Sequence, residues 1–400
     1  MKIAFLSDDI FSNGGVQRVV TTVSNLLCID HEIDIICTNR ELNIDREKYG
    51  LSYENINIIH EPIIQSKRLN YAISKSIRGI NRYTNLLNNK YMVKILAASY
   101  YSKNEKEQIT NLINRNSYDV VIGCEGYYGI LLGIIKPNIN AKTIAWNHNS
   151  YEAYLENKNR YYWNRDIFFR KYIGRLDENI VLTESDKKKY FEKLGIISKV
   201  VYNPLSFRCV EKSNLKSNRI IAAGRLSTQK GFDNLIKAFK QASIKNNENW
   251  KLVIIGDGED EEDLKGLSNK LNIAEKIEFI PFTKDIGSYL SQASIYAMSS
   301  RWEGFGLVVT EAMEAGLPIV SFDVSGPREI LGGYNCASIV ECDNINQFAD
   351  ELKKLMNSYD KRKEYALNGL ERVKFFYGEN IALIWNNILT NLCNDFKSSI

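Results

Sequence analysis

Short apolar runs alternate with longer amphipathic ones along the whole chain. Lys2–Ser7 (KIAFLS) is apolar throughout its middle. Asn13-Gly14-Gly15 follows, and Val16–Leu27 repeats its apolar residues at helical spacing. That order predicts a strand, a glycine turn and a helix. His31–Thr38 (HEIDIICT) predicts the next strand. Asp119–Cys124 (DVVIGC) and Lys142–Trp146 (KTIAW) predict further buried ones, with helical patterns between them. Strands that are apolar on both faces and alternate with helices predict a parallel sheet covered on both sides.

The pattern restarts after Pro204. Strands are expected at Arg219–Ala223, Lys251–Ile255, Ile277–Ile280, Ser294–Met298 and Pro318–Phe322. Helices are expected at Phe232–Ala242 and Leu307–Ala315. Asn203–Ser217 is polar and irregular and reads as a linker. Gly378–Phe396 is an amphipathic helix with Ile381, Ile384, Trp385, Ile388 and Leu392 on one face. The expected architecture is α/β, with two Rossmann-like domains (1–203 and 204–377) and a closing helix (378–400). Ligands of open α/β sheets bind at the carboxyl ends of the strands, so two facing sheets would place the site in an interdomain cleft.

Composition narrows the function classes. A chain of 400 residues suits two or three domains. With 44% hydrophobic and 25% charged residues it is an ordinary globular composition. A formal net charge of +4 is too mild to imply nucleic acid. The seven cysteines are scattered and never form Cys-x-x-Cys, which argues against zinc and redox motifs and suits a reducing compartment. Asp8 and Asp9 interrupt the apolar N-terminus too early for a signal peptide. No run reaches the about 18 apolar residues of a membrane span. The expected location is the cytosol, or a membrane surface without crossing it.

Three segments carry candidate chemistry. In Ser300–Gly316 (SRWEGFGLVVTEAMEAG), Glu303 precedes Gly304-Phe305-Gly306, and Glu311 lies about one turn inside the following helix. Glycines at a helix start let backbone N–H groups approach a phosphate, and the helix dipole favours its charge. The plain alternative is a capping acid and a solvated glutamate. In Ala223–Phe232 (AGRLSTQKGF), a strand delivers Arg225 and then Lys230. Two cations at a strand end suit a departing diphosphate; the alternative is a solvated basic loop. Asn13-Gly14-Gly15-Val16 and Gly256-Asp257-Gly258 are glycine turns without a dinucleotide fingerprint, and each could be a tight turn alone. Of three histidines, His148 follows a predicted strand, where reactive side chains gather in such sheets; His31 reads as structural.

Taken together these segments resemble family 4 of the retaining glycosyltransferases, enzymes of the GT-B fold. The resemblance rests on Gly14-Gly15-Val16, His148, Gly224-Arg225, Lys230-Gly231, Gly256-Asp257-Gly258, and the Glu-x7-Glu spacing of Glu303 and Glu311. They occur in the family's order and span nearly the whole chain. The resemblance implies an N-terminal acceptor domain and a C-terminal donor domain. It implies that Arg225 and Lys230 bind the donor diphosphate and that Glu311 binds the ribose. Glu303 and the backbone of Gly304, Phe305 and Gly306 would hold the hexose. Gly15 would approach from the opposite wall, and His148 would contact the sugar near its reacting centre. Pro281 and Phe282 would pack the nucleotide base. The closing helix would cross back to the first domain.

The resemblance further implies retention of configuration without a metal or other cofactor. The sequence offers no Asp-x-Asp pair to hold a magnesium diphosphate. The neighbourhood AMEAGLPIVSFDVSGPREIL resembles builders of bacterial surface glycans, lipopolysaccharide among them, that use UDP-hexoses. Between Ser66 and Lys106 nine basic residues, from Lys67 to Lys106, face one acid, Glu105, and are interleaved with Leu69, Tyr71, Ile73, Ile77, Ile80, Tyr83, Leu86, Tyr91, Ile95 and Tyr101. Lys158–Arg175 mixes cations with Tyr161, Tyr162, Trp163, Phe168 and Phe169. Both stretches suit an anionic membrane and a lipid-linked acceptor, or else a solvated helix face. The alternatives in function are a sugar-nucleotide epimerase or a phosphorylase of the same architecture, and a catalytically silent partner subunit. A nicotinamide oxidoreductase lacks its fingerprint.

Overall fold

The computed structural model describes residues 1–63, 68–158, 160–243 and 249–397, with only the backbone at 68–70 and 395–397. The expected contributions of Lys67, Arg68 and Leu69 to the basic stretch therefore lie outside the described side chains. The chain divides into two compact units, Met1–Pro204 with Gly378–Ile400, and Leu205–Tyr377.

The first unit is built on seven strands: β1 (Lys2–Ser7), β2 (Glu32–Cys37), β3 (Ile56–His60), β4 (Val120–Cys124), β5 (Lys142–Trp146), β6 (Glu178–Val181) and β7 (Lys199–Val200). They are parallel in the order β3-β2-β1-β4-β5-β6-β7. The second unit has six: β8 (Arg219–Ala223), β9 (Lys251–Ile255), β10 (Ile277–Ile280), β11 (Ile295–Met298), β12 (Ile319–Phe322) and β13 (Ala337–Val340). They are also parallel, in the order β10-β9-β8-β11-β12-β13. Central strands such as β1, β4, β9 and β12 are buried on both faces because helices cover both.

Each order reverses direction once, between β1 and β4 in the first sheet and between β8 and β11 in the second. The loops leaving the two strands at such a point diverge to opposite faces and leave a crevice at the sheet's carboxyl edge. The expected strand and helix starts move by one residue at β2, β4, β11, β12 and the helix Gly15–Leu27. Strands β3, β6, β7 and β13 were not expected.

The helix Gly378–Lys397 packs into the first unit. Ile381, Trp385, Ile388, Leu389 and Leu392 are buried; Leu389, rather than the expected Ile384, completes the apolar face. Trp385 meets Trp146 edge-on at 4.9 Å between ring centroids, and Trp146 in turn lies 6.1 Å from Phe5 of β1. The segment read as a linker contains no helix or strand, yet it is fastened into the second unit. Leu205 N–H donates to the Phe376 carbonyl at 2.7 Å and Ser213 N–H to that of Ala315 at 2.8 Å. The buried Arg362 donates to the Leu215 carbonyl through Nε and Nη2.

Candidate active site

In the second unit the reversal between β8 and β11 gathers most of the residues singled out from sequence. β8 is followed directly by Gly224, whose φ of 155° leads the chain sharply away. The neighbouring β9 is followed by Gly256, with φ 142°. A Cβ on Gly256 would lie 2.0 Å from the Gly224 carbonyl oxygen, so the two strand ends touch backbone to backbone. The loop after β8 then runs back over the loop after β11. Gly231, at φ 61°, passes so close that a Cβ there would sit 2.2 Å from the Ser299 carbonyl oxygen.

Five hydrogen bonds lock these loops together. Ser299 Oγ donates to the Lys230 carbonyl at 2.8 Å, and Arg301 N–H to that of Gln229 at 2.8 Å. Arg301 Nη1 reaches the Thr228 carbonyl at 2.7 Å while Nη2 pairs with Asp233 at 2.9 Å. Gln229 Nε2 donates to the Trp302 carbonyl at 3.1 Å. The locked loops hold Lys230 Nζ 2.5 Å from Glu303 Oε2. Both side chains are largely buried, at 16% and 15% exposure. A charge-assisted bond in that setting is strong, and removing either partner strands the other.

Gly304, Phe305 and Gly306 are buried beyond Glu303. Gly306, at φ 93°, opens the helix Leu307–Glu314, whose first turn carries no acid. Glu311 on that helix is fully buried, which rules out the solvated-glutamate reading. Beneath it lies Tyr296 of β11, whose phenol is pushed up by burial and then by the Glu311 carboxylate. Pro281 and Phe282 are exposed just past β10, and Phe282 N–H donates to Asp257 Oδ1 at 3.2 Å. Arg225 does not join the Lys230 pair. Its side chain is 79% exposed, with Nε 3.9 Å from Glu259.

In the first unit Gly15 begins the helix after β1 and is exposed. His148 lies past the end of β5 and is 9% exposed. Its ring stacks at a tilt on Trp146, 4.2 Å between centroids, and Nε2 is buried without a hydrogen-bond partner. Burial depresses its pKa to about 3, so the imidazole is neutral at physiological pH. The expectation for His31 holds: Nε2 lies 2.9 Å from Asn386 Oδ1 of the closing helix.

Several contributors were missed from sequence. Ser299, Arg301 and Gln229 matter through contacts about 70 residues away, which no local pattern reveals. Glu125, immediately after β4, carried a visible signal: a carboxylate at the carboxyl end of a wholly buried strand.

The model of the family described as "Glycosyl transferases group 1" matches residues 206–372. An uncharacterized glycosyltransferase of Haemophilus influenzae is 30% identical over 367 residues, covering 89% of this chain and 91% of the relative. The chain belongs to the group 1 glycosyl transferases. Within the family it is also similar to the amylovoran biosynthesis glycosyltransferase AmsD of Erwinia amylovora, 27% identical over 399 residues and covering 97% and 99% of the two chains. Among solved structures, Anabaena Alr3699/HepE in complex with UDP-glucose matches with a TM-score of 0.70 at 16% identity, covering 98% of this chain and all of that one. That likeness fixes the GT-B fold. Among the described residues, no helix is long and apolar enough to cross a membrane.

Proposed function

We propose that this glycosyl transferase moves a hexose from UDP-hexose to a sugar hydroxyl, with retention, in bacterial surface polysaccharide assembly. The observation that carries the reading is the Lys230–Glu303 pair at the β8/β11 reversal, locked between glycine loops with Glu311 buried behind it. Lys230 neutralises the diphosphate as charge develops on it, and the exposed Arg225 closes over its outer side. Glu303 releases Lys230 to the phosphate and accepts hydroxyls of the hexose, while the backbone of Gly304, Phe305 and Gly306 approaches the same sugar. Glu311 takes the ribose hydroxyls and Phe282, beside Pro281, the base. In the first unit, His148 is a neutral ring suited to hydrogen-bonding a sugar, and the exposed backbone of Gly15 is suited to a phosphate or the acceptor.

Positive side chains and a helix dipole do the work that a divalent ion does in other transferases, so no metal is required. The acceptor is a glycan or a lipid-linked sugar, in keeping with the name of the Erwinia relative. The enzyme works at the cytoplasmic face of the membrane. Exposed Tyr71, Ile73, Ile80, Tyr83, Tyr91 and Ile95 stand among Lys75, Arg78, Arg82, Lys90 and Lys94, a surface suited to anionic lipid.

The test is UDP release from a panel of UDP- and GDP-sugars, with and without chelator, alongside thermal shifts by UDP and GDP. Chelator-resistant release from one UDP-hexose is expected. If neither nucleotide stabilises the protein and no sugar nucleotide is turned over, the proposal fails. Flotation with vesicles of phosphatidylglycerol against phosphatidylcholine tests the membrane contact; equal recovery from both removes it.

A further inference from the structure

The first unit has its own reversal, between β1 and β4, and four backbone irregularities follow β4 and β5. Glu125 directly follows β4 and holds φ at 74°, a left-handed conformation that a glutamate adopts only under constraint. Tyr154, which bonds it, stands on a π-helical turn at Glu152–Glu156, a wide turn found disproportionately at working sites. Tyr161 and Asn164, in the loop that follows, are also left-handed, at φ 37° and 58°.

Side chains explain what this strain achieves. The Tyr154 hydroxyl donates to Glu125 Oε2, and its oxygen accepts the His148 N–H at 3.3 Å. The Tyr162 ring packs against Gly126, where a Cβ would sit 2.8 Å from it. Tyr162 and Tyr161 stand 5.1 and 6.0 Å from Tyr154, ring centroid to centroid. Glu125 is only partly buried, and Tyr161 presents 42% of its surface to solvent. A carboxyl bonded to one tyrosine, with an exposed tyrosine ring in the same cluster, is chemistry that binds a pyranose. The carboxyl accepts hydroxyl hydrogens, and a ring covers the sugar's C–H face.

We propose that Glu125, with Tyr161, forms the subsite for the acceptor sugar, Glu125 accepting hydrogen bonds from its hydroxyls and Tyr162 packing behind them. This deepens the transferase reading and rests on it for the word acceptor, although the sugar site stands within the first unit alone. Tyr154 is a positioning residue that joins Glu125 to the His148 backbone.

The same surroundings make the subsite sensitive to pH. Burial raises the Glu125 carboxyl to about 7, against the lowering effect of the Tyr154 hydroxyl and the Gly126 N–H. The groups facing it do not titrate nearby. Tyr154, Tyr162, Tyr190 and the Cys124 thiol are pushed up by burial, and His148 is pushed down. Arg165 stands over the Tyr162 ring at 4.8 Å. An ionised carboxylate is the better acceptor, so sugar affinity rises with pH through about 7.

The experiment titrates the full-length protein with methyl hexopyranosides and methyl N-acetylhexosaminides, reading intrinsic fluorescence. UDP thermal shifts are run on the same samples. At least one glycoside is expected to bind, more tightly above neutral pH. Glu125→Gln keeps an acceptor for the Tyr154 hydroxyl; it should weaken that glycoside about tenfold and flatten its pH dependence, with Tm and the UDP shift unchanged. Tyr161→Ala, at an exposed ring, should weaken it severalfold. A wild-type protein that binds none of the glycosides, or variants that bind them as the wild type does, overturns the proposal. Loss of the UDP shift in the wild type would instead strike the donor reading and leave this test intact.

Discussion

The two sheets reverse at equivalent places and fill the resulting crevice differently. At β8/β11 the loops are glycine-rich, pressed backbone to backbone, and they carry a salt bridge. Past the end of β4 in the first unit, tyrosines surround one carboxyl, and the left-handed conformation falls on Glu125 itself. The first arrangement suits a ligand whose charge changes during reaction, because fixed donors and a cation already surround its place. The second suits a neutral, hydroxylated ligand recognised by shape and by hydrogen bonds. The proposed donor and acceptor subsites would thus be set apart by a few residues at the strand tips.

The sharpest way to break this contrast is at Lys230. Lys230→Ala and Glu303→Ala are each expected to lower transfer about a thousandfold with the fold intact. Near-normal turnover in either, measured as UDP release under saturating donor, would remove the charged half of the comparison. Next comes the backbone contact. Gly256→Ala places a methyl group against the Gly224 carbonyl at an unfavourable φ, and should cost about 3 kcal/mol of stability by denaturant titration. An unchanged midpoint would mean the strand ends do not need to touch. Glu311→Gln keeps the volume and removes the charge; a rise of about tenfold to a hundredfold in donor KM is expected, with the acceptor KM unchanged.

The smallest effects lie on the acid side and at the surface. His148 has a folded pKa far below its unfolded value of about 6.5. Stability from its neutral burial is therefore complete above about pH 6.5 and declines as pH falls from there towards 3. His148→Gln should flatten that acid slope in a pH series of melting curves. Arg225→Ala should change stability by less than about 0.5 kcal/mol, since its pair with Glu259 is solvent-exposed. A rise in donor KM is expected to accompany it.

The sequence made the central strands plain, because β1, β4, β8, β9 and β12 are continuous apolar runs next to turn residues. The outer strands were harder to see. β7 is two residues long, and β3 alternates apolar residues with Asn57 and His60. Arg225, Lys230, Glu303 and Glu311 were noticed through their spacing. That Lys230 rather than Arg225 pairs with Glu303 follows from loops 73 residues apart meeting in space. Glu125 has a partial signature, a carboxylate directly after a wholly buried strand. Its left-handed dihedral angle and the neighbouring phenol have none in the order of residues.

The helix at Gly378–Lys397 also constrains how the molecule is made. Trp146 gains its edge-on partner Trp385 only after the entire second unit has been synthesised. A nascent chain must therefore carry an unfinished first body, one apolar face open, while the ribosome completes an independent second one. Ending the chain before Gly378 would leave that face bare for good, so such a truncation should yield aggregated protein rather than a separate functional half.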